Sequence, residues 1–202
     1  VSTFQLPIFP LPDLLFFPGT FLPLHIFEPR YRSLLAFALE NGREIGIAPI
    51  WKENLSLIPE PIEPIFGWGH IIQEEPLPDG RSNIILEGLG VCELKEYISM
   101  KPFRIGKVEK LPQDKSYLKT SEYKGRLQEL IVLTKRILLS EGASDELILK
   151  MNLIANHPFA IDFVTSLLNY NPKEKQKVLQ AKSGKEKTDT LKMILMSLNL
   201  ME

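Results

Sequence analysis

The constraint that most limits the fold is a change of pattern near residue 112. Before it, short apolar runs are separated by proline and glycine, and after it apolar residues recur at helical spacing over long stretches. Proline lacks a backbone N–H and glycine loosens the chain, so frequent interruption favours short strands joined by turns over helices. The runs that read as strands are Phe4 to Phe9, Thr20 to Leu24, Glu44 to Ile50, Phe66 to Gln73, Ser82 to Glu87, Val91 to Ser99 and Phe103 to Leu111. Pro78-Asp79-Gly80 sits between two of them, where aspartate and glycine tolerate the angles of a tight reversal, and it predicts a hairpin. One helix interrupts the strands: Pro29 suits a first helical position, Tyr31, Leu34, Leu35 and Ala38 share a face, and Gly42 can end it. The segment from Pro59 to Pro64 carries three prolines and two acids and reads as an extended surface connector.

Beyond about residue 115, Leu127, Leu130, Ile131, Thr134, Ile137 and Leu138 form one stripe that ends near Gly142. Ser144 or Asp145 can cap a second helix carrying Leu147, Ile148, Met151 and Ile154. A third helix is predicted from Pro158, with Ile161, Val164, Leu167 and Leu168 as its packed face, and two more at about 172 to 181 and 186 to 199. The division expected is therefore a strand-rich domain over residues 1–112 and a helical bundle over residues 113–202, an α+β chain in which one barrel-like sheet precedes the helices. With 44% hydrophobic residues in 202, both parts can bury a core.

Charge narrows the partners. Lysine and arginine total 24 against 25 acids, a net charge of -1, so nothing in the overall balance attracts a phosphate backbone. The segment from Asn171 to Glu202 has seven lysines against four acids, a local +3, but contains no arginine or aromatic to interleave with bases and reads as a solvated helical face. A single cysteine, Cys92, cannot form an internal disulfide, and His25, His70 and His157 have no metal-ligand spacing. A reducing, cytoplasmic setting without a metal or other cofactor is expected. Residues 1–18 are apolar but lack a basic start and are broken by Pro7, Pro10, Pro12 and Pro18, which fits neither a signal peptide nor a membrane span.

Two blocks carry a family resemblance. Leu6-Pro7-Ile8-Phe9-Pro10-Leu11-Pro12, then Phe16-Phe17-Pro18-Gly19, then Leu22-Pro23-Leu24-His25-Ile26-Phe27-Glu28-Pro29-Arg30-Tyr31-Arg32 resembles the signature of the N-terminal, substrate-recognising domain of Lon-type proteases. The second block runs from Phe66-Gly67-Trp68-Gly69-His70 through Pro78-Asp79-Gly80 to Gly88-Leu89-Gly90 and is similar to the hairpin of the same family. Pro158 to Leu168 and Pro172 to Gln176 are similar to the helical segment that follows the barrel. The resemblance, shared with stand-alone bacterial and cereblon-type domains, implies a PUA-like bent β-barrel of six or seven strands with one inserted helix, followed by a C-terminal α-helical bundle. It also implies binding of unfolded or partly exposed polypeptides, with a separate protease or chaperone as a further partner and an adaptor role as an extension. The expected groove lies between barrel and helices. An RNA-binding PUA-like module is the rival reading, against which the charge balance stands.

Catalysis is not expected. The 202 residues contain no G-x-x-x-x-G-K-[ST] phosphate loop and no G-x-S-x-G elbow, and the chain stops at Glu202, so a substrate-binding domain without ATPase or protease parts is predicted. His25 and Glu28 could form an acid–base pair at a strand-to-helix junction, or could serve local hydrogen bonding and the helix dipole. Cys92 reads as a buried thiol rather than a nucleophile. Arg30 and Arg32 could clamp an acidic ligand or pair within the fold. For peptide binding, the aromatic and proline-rich cluster Phe16, Phe17, Phe21, Leu22, Pro23, His25, Phe27 and Tyr31 supplies candidates, together with Trp51 and Trp68. Aromatics at alternating strand positions also serve cores, so burial competes with recognition at these positions.

Overall fold

In a computed structural model that describes residues 3–112 and 116–199, the punctuated first part forms strands β1 (Thr3–Pro12), β2 (Phe21–Ile26), β3 (Glu44–Ile50), β4 (Ile65–Pro76), β5 (Ser82–Ser99) and β6 (Arg104–Lys110), with helix α1 (Pro29–Glu40) after β2. Backbone contacts divide the chain into two units, Val1–Leu111 and Pro112–Glu202.

Strands β5, β4, β3, β1 and β6 pair in that order, and β6 pairs back to β5, so the sheet closes into a ring; β2 attaches to β5 over Phe21–Ile26. β1 changes partner along its length: Thr3 to Ile8 run antiparallel to β6, whereas Ile8 to Pro12 run parallel to β3. Both β1 and β3 are buried on two faces, which accounts for their continuous apolar runs. One face of the sheet encloses Leu6, Ile8, Ala48, Phe66, Trp68, Cys92 and Val108. A second cluster gathers Phe9, Phe16, Ile26, Ile45, Ile47, Ile71 and Leu86 with Tyr31, Leu34, Leu35 and Ala38 of α1, the stripe legible in the sequence. Each fully buried side chain of this size contributes about 1.5–3 kcal/mol of transfer free energy.

The two runs expected on either side of Gly88-Leu89-Gly90 are one eighteen-residue strand, β5. Glycine here does not end the strand. A Cβ on Gly67 would stand 1.7 Å from the Phe16 carbonyl oxygen, and one on Gly88 would stand 2.3 Å from that of Phe17. The segment between β1 and β2 thus crosses β4 and β5 backbone against backbone, which only glycine permits.

The second unit contains α2 (Ser121–Ser140), α3 (Asp145–Lys150), α4 (Ala160–Leu167), α5 (Pro172–Gln180) and α6 (Gly184–Asn199). Thr120 accepts the Tyr123 N–H at 3.1 Å and Ser144 accepts that of Leu147 at 3.3 Å, capping α2 and α3. α3 is shorter than its apolar spacing suggests, because the N–H groups of Asn152 and Leu153 turn back to Leu149 and Lys150 and tighten the chain, leaving Ile154 in a separate turn. α4 begins at Ala160 rather than Pro158, since His157 Nδ1 accepts the Phe159 N–H at 3.2 Å and holds the preceding residues out of the helix. α6 begins two residues before the predicted 186, where Ser183 accepts the Glu186 N–H and the Glu186 carboxylate accepts that of Lys182. No helix among the described residues is long and apolar enough to cross a membrane.

Gly125, exposed inside α2, has open space where a Cβ would go. Gly125→Ala is therefore expected to stabilise the helical unit by about 0.5–1 kcal/mol, by limiting the freedom of the unfolded chain. Urea unfolding followed by far-UV circular dichroism checks this; a lower midpoint would mean that the exposed glycine serves another purpose.

Candidate functional site

The β1–β6 ladder stops at the Ile8–Arg104 pair, and beyond it Phe9 to Pro12 pair with β3 alone. Past that point the barrel wall opens into a recess of about 330 Å³ lined by Phe9 to Pro12, the end of β2 from Leu24 to Ile26, Phe27, Glu28, the first turn of α1, and Leu55 and Glu60. A wider recess of about 970 Å³ adjoins it, lined by Ile58, Pro59 and the turn from Met100 to Arg104. Pro10, Arg30, Tyr31 and Glu60 line both, so the two form one cleft. Ile58-Pro59 and Lys101-Pro102, on its two loops, are cis.

The lining is mainly apolar, and its outer members face solvent: Phe27 is 59% exposed, Ile58 is 96% exposed, and Leu55 and Met100 are also exposed. Its polar groups are mostly satisfied within the unit. His25 Nδ1 and Asn83 Oδ1 lie 2.8 Å apart across the β2–β5 ladder, and the imidazole stacks near Phe27 with ring centroids 6.0 Å apart. Arg30 Nε donates to the Glu28 carboxylate at 2.9 Å while its guanidinium lies 4.5 Å above the Tyr31 ring. Tyr31 packs on Phe9 with centroids 4.1 Å apart, and burial holds its hydroxyl above the usual tyrosine range, hence protonated at neutral pH. Arg104 Nη2 donates to Glu60 Oε2 at 3.0 Å, tying the turn before β6 to the proline-rich loop.

Of the residues the sequence singles out, His25, Phe27 and Tyr31 meet in the cleft. Phe21 and Pro23 are exposed on β2 outside the lining, and Leu22 packs partly on the core. Phe16 and Phe17, 2% and 1% exposed, are core side chains, because their segment is pressed against β4 and β5. Trp51 is buried and donates its indole N–H to Glu63; Trp68 is buried against Phe4 beneath the Lys110 ammonium. Cys92 is fully buried, and desolvation pushes its thiol far above the ordinary range, which leaves no thiolate for chemistry. Arg32 packs against Gly80 of the β4–β5 hairpin rather than in the cleft. Among the described residues, no group of three His, Cys, Asp or Glu side chains is placed to hold a metal ion.

Sequence reading treats the Pro59–Pro64 stretch as a connector, yet Ile58, Pro59 and Glu60 form one wall of the cleft. The Met100–Arg104 turn is missed as well. The contact that makes them one site, Glu60 to Arg104, joins residues 44 apart in the chain, and no local pattern signals it.

A ring-closed sheet with an apolar cleft at a break in its ladder offers the kind of concavity in which ligands are commonly held. The model of the ATP-dependent protease La (LON) substrate-binding domain matches residues 5–197, and the chain belongs to that family. The Lon protease of Flavobacterium johnsoniae is 27% identical over 201 residues, covering 98% of this chain and 25% of that protein. The Lon protease of Cytophaga hutchinsonii is 26% identical over 194 residues, 94% of this chain and 24% of its own length. The chain thus spans about a quarter of the length of these relatives. Among solved structures, the N-terminal domain of the Mycobacterium avium complex Lon protease is similar with a TM-score of 0.72 at 16% identity, covering 95% of this chain and 98% of that one. The Lon N-terminal domain protein from Xanthomonas campestris gives 0.67 at 18% identity, covering 96% and 98%. Mixed architecture, with a ring-closing six-strand sheet and helices after it, is the fold of these domains.

Proposed function

We propose that the chain recognises exposed apolar segments of polypeptides, in the service of proteolysis, and that it binds them in the cleft of the barrel unit without acting on them chemically. The observation that carries this reading is the apolar rim: Phe27, Ile58, Leu55 and Met100 stand exposed around one concavity in a member of a substrate-binding family. Prolines line both walls, and their fixed geometry lets the cleft keep its shape without a ligand. A flexible client loses conformational entropy on docking, so micromolar affinity, about -8 kcal/mol, is expected.

Isothermal titration with permanently unfolded and native forms of one model protein tests the reading. Binding of the unfolded form alone is expected, weakened about tenfold or more by the pair Phe27→Asp and Ile58→Asp, since each charge would have to be desolvated by an apolar client. Both positions are exposed, so these changes leave the core intact. Equal absence of binding to the two forms would sink the reading. Delivery of the client to a protease partner extends the proposal, and enrichment of a protease on the immobilised chain supports it.

A further inference from the structure

Arg104 is the first residue of β6 and is 8% exposed, an unusual position for a permanent charge. One side of its guanidinium is accounted for by Glu60 at 3.0 Å, but Nη1 is buried without a hydrogen-bond partner. Buried donors without acceptors are rare because nothing offsets their lost hydration. This donor belongs to a side chain that lines the cleft, amid Ile58, Pro59, Met100, Pro102 and Phe103. Of these side chains only the Met100 thioether can accept a hydrogen bond, and weakly, and neither it nor the Tyr31 hydroxyl, which also lines the cleft, is bonded to Nη1.

The charge around Arg104 narrows what would satisfy it. Glu60 already neutralises the guanidinium, and a second carboxylate at Nη1 would be brought toward the carboxylate of Glu60. A neutral oxygen carries no such penalty. On the reading that the cleft takes apolar polypeptide segments, the neutral acceptor that every such segment offers, whatever its side chains, is the main-chain carbonyl. We propose that a bound polypeptide draws the Arg104 guanidinium toward the cleft about its Glu60 contact, so that Nη1, otherwise closed off from solvent, donates to a backbone carbonyl oxygen of that polypeptide, with Glu60 as the positioning residue. Recognition then has two parts: an apolar rim that favours certain side chains and one donor that reads only the main chain, which suits clients of varied sequence.

Fluorescence anisotropy of the full chain with a labelled octapeptide of leucine, phenylalanine and alanine, acetylated and amidated at its ends, tests this. Arg104→Met should weaken binding on the order of tenfold, and Arg104→Gln, which restores a neutral N–H donor, should recover most of that loss. Equal binding by wild type and Arg104→Met overturns the inference and leaves the cleft reading standing, whereas no binding by the wild type overturns both. Tighter binding of the free-acid peptide than of the amide, with no rescue by glutamine, overturns the neutral-acceptor assignment in favour of a carboxylate. Should the variants not fold, the guanidinium signals of Arg104 in the ¹⁵N spectrum of the wild type decide: they shift on saturation with peptide if the donor is engaged, and unmoved signals with peptide bound reject it.

Discussion

Replacing Gly67 by alanine is expected to destabilise the barrel unit by about 3 kcal/mol or more, a large share of what holds a domain of this size together. The added methyl would lie 1.7 Å from the Phe16 carbonyl oxygen and 2.7 Å from its carbon, so backbone and not a flexible side chain must move. That backbone is held from several sides. The Phe16 and Phe17 rings are in the core, Gly19 N–H donates to Gly88 O at 2.8 Å, Gly88 N–H donates to Thr20 O at 2.9 Å, and the Thr20 hydroxyl donates to Phe17 O at 2.7 Å. Trp51 and Trp68 both lie buried in this unit, so tryptophan fluorescence during urea unfolding reports on it directly. A loss below about 1 kcal/mol would show that the crossing segment slides freely rather than being fixed by its packing.

Features written in adjacent residues were legible, and those created by crossings were not. Helix α1 could be read from Pro29, its four-residue stripe and Gly42 because start, face and stop all lie within fourteen positions. Gly88 and Gly90 gave a misleading local signal. Read as punctuation they split β5 in two, while Gly88, like Gly67 in β4, lets another stretch of backbone pass, a relation visible only in three dimensions. The candidate cleft divides in the same way. His25, Phe27 and Tyr31 fall in one block of sequence, whereas Glu60 and Arg104 come from a loop and a strand start with no common pattern. The aromatics Phe16, Phe17, Trp51 and Trp68 could serve core or groove on composition alone; pairing of β4 with distant strands turns Trp68 inward, and the crossing over Gly67 and Gly88 does so for Phe16 and Phe17. One local signal was available and missed: Ser183-x-x-Glu186 places the start of α6 two residues early.

Lys187→Met is expected to cost the helical unit about 3–5 kcal/mol near neutral pH, although the lysine-rich end of the chain reads as a solvated face. Lys187 departs from that face: its side chain is 3% exposed and its ammonium lies 2.5 Å from Asp162 Oδ1, itself on a 4% exposed side chain of α4. Burial raises the Asp162 pKa, and the Lys187 charge opposes that rise. Tyr123 and His157 also face the carboxylate, and burial together with the Asp162 charge pushes the Tyr123 hydroxyl up to about 12. Without Lys187 the carboxylate keeps its desolvation and loses its main compensation, so its folded pKa rises further above the unfolded value. The folded state then binds more protons than the unfolded state between those two values, and stability contributed there is full below the unfolded pKa and lost as pH rises through the folded one. Relative to the wild type, Lys187→Met should therefore regain stability as pH is lowered toward the ordinary aspartate range. The double variant Asp162→Leu with Lys187→Met, which leaves no buried charge, should return to within about 1 kcal/mol of the wild type or exceed it and lose the added pH dependence. Urea unfolding of the three proteins, followed by far-UV circular dichroism at about pH 5 and about pH 8, separates these cases across the titration window. A double variant as unstable as Lys187→Met would mean that the pair is held for its shape, and the cost would then belong to packing between α4 and α6 rather than to an orphaned charge.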